Sequence, residues 1–155
     1  MVFLSSCTLA VFNRPQHNSI MKHQNDHSEA LILVKGEGRI YNCGTMTAIF
    51  KADENETNEK YSISEWWLEP NSDGPGAHSH EENDEVFYVL EGMISFLVGD
   101  KWIDAAKGTF LRIAAKTIHD FKNQTDYKTG VLNFFIPGGF ERNMPSIVKW
   151  FDDNK

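Results

Sequence analysis

The sequence predicts an all-β jelly roll of about ten strands, closed by a short C-terminal helical segment. Three observations carry that expectation. From Ala30 onward, short apolar or alternating runs are separated by Gly-, Pro- and Asn-bearing turns, the mark of a sandwich or barrel. A run holding two histidines falls where strand, turn and strand are independently expected. The chain also has 155 residues, 41% of them hydrophobic and 24% charged, which is one domain with a core able to fold without disulfides.

The elements follow in order. Residues 30–34 form a first apolar strand, closed by Gly36 and Gly38. Strands at 39–41 and 45–50 are joined through Asn42, Cys43 and Gly44. The acidic stretch 51–60 is a solvated loop leading into a strand at 61–68. Residues 70–76 hold two prolines and two glycines, so a loop sets His78 at the start of the next strand. Residues 85–90 form a strand, Glu91 and Gly92 turn into 93–98, and Gly99 and Asp100 turn into 101–105. Gly108 opens a strand at 109–113. Residues 114–117 then turn into 118–121, and 130–136 is the last long apolar strand. Residues 145–151 make one helical turn or two. If Glu85 faces the interior, so do Phe87 and Val89, while Val86, Tyr88 and Leu90 face away. Of the many aromatics most are core, with one or two of Trp66, Trp67, Phe87 and Phe134 walling a planar ligand.

The chemistry concentrates in residues 76–85, which read Gly-Ala-His-Ser-His-Glu-Glu-Asn-Asp-Glu. In a strand, residues i and i+2 share a face, so His78 and His80 present imidazoles side by side. Four residues later, across a turn or bulge, comes Glu85. With His119 from a later hairpin, the set is three neutral imidazoles and one carboxylate. That donor set suits one divalent transition ion, Fe, Mn, Ni, Co, Zn or Cu. Four protein ligands on an octahedral ion leave room for water, substrate or dioxygen, the open kind of site used in catalysis.

The run His78-x-His80-(x4)-Glu85-(x6)-Gly92 resembles the first motif of the cupins, small metal-binding β-barrels. Their second motif usually reads Gly-(x5)-Pro-x-Gly-x-x-His-(x3)-Asn. Here Gly108, His119 and Asn123 match, Ala114 stands where proline is usual, and Lys116 stands where glycine is usual. Ser72 replaces the glycine that commonly starts the first motif. These departures touch turn residues and spare the four ligand positions. The resemblance covers roughly residues 60–141 and implies the double-stranded β-helix form of the jelly roll. Residues 85–92 and 135–142 are similar to single-domain cupins that resemble quercetin 2,3-dioxygenase. That likeness implies activation of a flavonol-like or enolizable substrate together with dioxygen, with Glu85 accepting the substrate's hydroxyl proton. Glu85 is thus expected both as ligand and as catalytic base. A redox-inactive isomerase or lyase, and a non-catalytic metal- or ligand-binding protein, are the competing readings of the same scaffold. A homodimer is the oligomer that the resemblance implies, with 30–50 and Trp66 or Trp102 as candidate contacts.

Charge narrows the partners. A formal net charge of −7 and a pI near 5.3 argue against nucleic acid and anionic membrane, leaving a small-molecule substrate. Cys7 and Cys43 form no pair motif and read as reduced cysteines. Residues 1–12 are apolar but too short to span a bilayer and lack a basic leader, so a cytoplasmic protein is expected. The domain plan is a flexible tail over 1–28, a barrel domain over 29–141 and an extension over 142–155. The tail carries His17, His23 and His27, and Met21 is an alternative start.

Overall fold

Period-two alternation governs the strands. In Met46–Ala52 and Ser62–Leu68 every second residue is buried, because successive side chains point to opposite faces of a sheet. The computed structural model describes residues 30–154; expectations for Cys7, His17, His23, His27 and the alternative start lie outside them. Nine strands occur among the described residues. They are β1 (Arg39–Cys43), β2 (Met46–Ala52), β3 (Ser62–Leu68), β4 (Asp84–Glu91), β5 (Met93–Val98), β6 (Lys101–Ala106), β7 (Phe110–Ile113), β8 (His119–Lys122) and β9 (Thr129–Ile136). Helix α1 (Glu54–Thr57) follows β2, and α2 (Met144–Asp153) follows β9 after a one-turn 3-10 segment, Glu141–Asn143.

All pairings between strands are antiparallel, and they form two sheets. The larger has the order β1-β2-β3-β9-β4-β7, and the smaller has β6-β5-β8. The sheets face each other as a jelly roll without closing into one hydrogen-bonded barrel. Between them Phe50, Phe87, Phe96, Met46, Leu68 and Ile94 are all at most 1% exposed. Phe87 and Phe96, from opposite sheets, meet at 5.0 Å between ring centroids. On β4, Glu85, Phe87 and Val89 are buried and Tyr88 is 44% exposed, the parity expected from the sequence.

Four expectations change. His78 and His80 do not share a strand: His78 makes only an isolated bridge to His119, and His80 lies in the irregular connection that precedes β4. Residues 30–34 form no strand, and Leu31, Ile32 and Val34 are 55%, 81% and 62% exposed. Leu31, Leu33 and Val34 instead flank a groove with Tyr61, Ile63 and Leu132. The run therefore lies over the outer face of the large sheet, where side-chain contact replaces edge pairing. The acidic stretch 51–60 holds α1, because the Glu56 carboxylate turns back to accept the Asp53 backbone N–H at 2.9 Å, as in a capping box. The terminal helix is also longer than one or two turns, spanning ten residues with Met144 fully buried.

Asp53 ties the connection between β2 and β3 to the segment that leads into α2. Its carboxylate, 2% exposed, accepts from Ser62 Oγ at 2.6 Å, Gly139 N at 2.6 Å and Glu141 N at 2.7 Å. A buried carboxylate with three donors is well satisfied, and it fixes where α2 begins. Among the described residues no helix is long and apolar enough to cross a membrane.

Candidate metal centre

The four residues singled out by spacing come from three places in the fold. His78 and His80 lie in the connection between β3 and β4, Glu85 lies on β4 of the large sheet, and His119 opens β8 of the small one. One potential ligand atom from each lies within 4.8 Å of all the others. The imidazole centroids are 4.4 to 5.3 Å apart.

Backbone pairing brings the two histidine-bearing segments together. His78 N donates to His119 O at 3.0 Å, and His119 N returns to His78 O at 2.8 Å. Six residues earlier Ser72 and Asn123 exchange a second such pair, at 3.0 Å each. Between these bridges Gly74 passes so close to β8 that an added Cβ would sit 1.7 Å from Phe121 O; only glycine permits that approach. The Asn123 side chain, 1% exposed, donates to Glu69 O at 2.9 Å and Tyr127 O at 2.7 Å. Asn123 thus holds the loop rather than the site.

The tautomers follow from the partners. His78 Nδ1 stands 2.7 Å from Gly76 O, and His119 Nδ1 stands 2.8 Å from Thr117 O. A carbonyl only accepts, so each Nδ1 carries a proton, and each neutral ring keeps its Nε2 lone pair for the centre. His80 Nε2 and His119 Nε2 are buried without a hydrogen-bond partner. Glu85 Oε2 lies 2.5 Å from His119 Nε2 and 3.8 Å from His80 Nε2. The first contact is no hydrogen bond to a neutral ring, since both atoms are then acceptors. It needs a positive charge between or beside them, either a proton or a cation. The donor set and its orphaned nitrogens fit a divalent transition ion.

The ring environments differ. Burial pushes His80 below the usual histidine range, against the pull of Glu85. Burial also opposes charge on His119, but Glu85 and the Thr117 carbonyl outweigh it and raise that ring's pKa. His80 further packs edge-on against Phe135, at 4.6 Å between centroids.

The centre floors a cavity of about 280 Å³. Trp66 and Phe87 line it as the sequence suggested, while Trp67 and Phe134 are not among its lining residues. Sequence reasoning missed Asn133, which is 4% exposed and donates from Nδ2 to Glu85 Oε1 at 3.3 Å. A polar residue at an inward position of the apolar strand β9 was the available signal. It also missed Phe140, Ile147, Trp150 and Phe151 in the cavity wall. The spacing of the last three, i, i+3 and i+4, is one helical face.

Comparison with known proteins agrees with this architecture. The family described as "Cupin domain" matches residues 64–135. A quercetin 2,3-dioxygenase of Bacillus subtilis (strain 168) is 29% identical over 122 residues, which is 75% of this chain but 34% of that protein. The chain thus spans about a third of that relative's length. Among solved structures, KdgF from Halomonas sp. superposes with a TM-score of 0.64 at 14% identity, covering 74% of this chain and 99% of that one. An RmlC-like cupin from Shewanella frigidimarina NCIMB 400 gives 0.61 at 16% identity, covering 74% of this chain and 96% of that one. At those identities the likeness is one of fold.

Proposed function

We propose that this chain, which matches the cupin family model over residues 64–135, is a metal-dependent dioxygenase acting on a small aromatic or enolizable substrate. The observation that carries the reading is the convergence of His78, His80, Glu85 and His119 on one point, with two unpartnered buried Nε2 atoms, at the floor of an apolar cavity. Similarity to a quercetin 2,3-dioxygenase favours oxygen chemistry over the other uses of the scaffold.

In this reading His78, His80 and His119 hold the ion through Nε2, and Glu85 contributes Oε2. When bound, a divalent transition ion supplies a Lewis acid that favours the deprotonated form of an enol or phenol and, if redox-active, a path for electrons from substrate to dioxygen. The protein's own contributions are positional. Thr117 O and Gly76 O hold two rings in the ligating tautomer. Asn133 occupies Glu85 Oε1, which leaves Oε2 as the oxygen facing the imidazoles. From there Glu85 can accept a proton from a substrate hydroxyl placed within hydrogen-bond reach. The surrounding Phe87, Phe121 and Phe140 exclude water from the reacting groups.

Oxygen uptake by metal-reconstituted protein, followed with an electrode across flavonols and β-diketones, tests the proposal. Uptake in step with substrate loss is the expected result. Turnover of such substrates without oxygen, with zinc bound, would reassign the site to an isomerase or lyase.

A further inference from the structure

The cavity has two unlike walls at its mouth. One is the loop carrying Pro75, pinned to β8 by the Ser72–Asn123 bridge and by Gly76 N donating to Asp120 Oδ1 at 3.2 Å. The other is α2, which turns Ile147, Trp150 and Phe151 to the cavity. The helix packs against β1 and is anchored by buried Met144. Phe151 lies 3.5 Å from where a Cβ on Gly44 would stand. Trp150 is 57% exposed although it lines the cavity, so a large apolar ring stands half in solvent at the entrance. Trp150 and Phe151 meet edge to face, 5.0 Å between centroids.

The lining is equally one-sided in chemistry. Among the described residues the lining holds His78, His80 and Glu85 of the candidate ligands; apart from these, Asn133 is the one polar side chain besides the Trp indoles, and no described Lys or Arg lines the cavity. The Trp66 indole N–H is already engaged by Ser64 Oγ at 3.0 Å. A ligand with several hydroxyls would bury them without partners. A second carboxylate or a phosphate would find no cation beyond the metal.

Resting on the metal-site reading above, we propose that α2 sets the substrate class. Ile147, Trp150 and Phe151 form a specificity wall for uncharged molecules with one bidentate oxygen donor and an apolar, ring-bearing remainder. Aryl-substituted β-diketones and hydroxyketones belong to this class; polyhydroxylated and multiply anionic molecules do not. The donor end meets the floor of the cavity, and the ring packs under the helix, shielding Trp150 and Phe151 from water.

The test is calorimetric titration of the full chain loaded with zinc, which binds donors without oxygen chemistry. Three probes are used: 1-phenylbutane-1,3-dione, acetohydroxamate as a small donor too short to reach the helix, and 2-ketogluconate as a polyhydroxylated donor. Trp150→Ala and Phe151→Ala are each expected to weaken the phenyl diketone about tenfold. Both should leave acetohydroxamate within about twofold and zinc content unchanged. Wild-type protein should bind 2-ketogluconate more weakly than the diketone. Unchanged diketone affinity in Trp150→Ala, an exposed site whose truncation spares the core, overturns the wall, as does preferred binding of 2-ketogluconate. Failure of the wild type to take up zinc or acetohydroxamate overturns the metal-site reading instead.

Discussion

Two segments deliver imidazoles to the centre, and they are built differently. Residues 76–85 follow a regular pattern, with glycines in the preceding loop and the His78 and His80 rings two residues apart. Residues 114–123 carry Lys116 at a backbone φ of +67°, a left-handed conformation that costs an L-residue roughly 1–2 kcal/mol. Even so, the second segment holds its histidine as firmly. Asp84 accepts from Ala115 N at 3.0 Å and pairs with Arg112 at 2.5 Å, while Lys116 N donates to His80 O at 2.7 Å. The contrast teaches that ligand position is set by hydrogen bonds between the segments, and the residue in the turn matters less.

The largest way to break this comparison is to remove the second segment's one ligand. His119→Ala should lose the bound metal while the fold persists, read by elemental analysis and circular dichroism of protein purified without a metal column. Retention of stoichiometric metal would mean the first segment suffices. Next, Glu85→Gln keeps the shape but removes the proton acceptor. Oxygen uptake should fall by about two to four orders of magnitude if Glu85 is the base, whereas an unchanged rate would leave it only a ligand.

Asp84→Ala cuts the tether of the second segment alone. Metal affinity should drop about tenfold or more, the usual effect of losing a group that orients ligands, measured by competition with a chromogenic chelator. An unaffected Kd would show that the backbone bridge alone fixes His119.

The rings of the two segments also respond oppositely to pH. In metal-free protein His80 lies below its ordinary value, so its contribution to stability is present above about pH 6.5 and is lost as pH falls through the folded value. His119 lies above, so its contribution is present below about pH 6.5 and is lost as pH rises through its folded value. The Tm difference between apo wild type and His119→Gln should therefore be largest in acid and shrink toward pH 8; a flat difference would contradict the pairing with Glu85. The smallest effect belongs to Lys116→Gly. Relief of the left-handed turn should stabilise the protein by up to about 1 kcal/mol, seen in urea unfolding, with metal affinity unaltered.

Much of this was legible in the sequence. The β4 alternation placed Glu85, Phe87 and Val89 inward, whereas the His78 and His80 rings meet through an irregular connection and not on the strand face that their spacing suggested. What escaped notice depends on long-range placement. Asn133 lies 48 positions from Glu85 in sequence, and nothing local shows that β9 would run beside β4. The helical face of Ile147, Trp150 and Phe151 was readable as a periodicity, but its position over the cavity comes from Asp53 gripping Gly139 and Glu141. Residues 30–34 misled for the opposite reason: apolar, branched content predicts a strand, but pairing needs a free edge alongside.

The position of β9 between β3 and β4 has a consequence in time. The large sheet is not continuous until a strand near the end of the described chain inserts between two made much earlier. Pairings that remote in sequence pay loop closure before they gain contacts, which places all-β domains of this kind toward the slow end of folding, about milliseconds to seconds. Until β9 arrives, Glu85 lacks Asn133, and the edges of β3 and β4 stand open. The assembly interval most exposed to wrong strand partners is thus also the one in which the centre is unfinished.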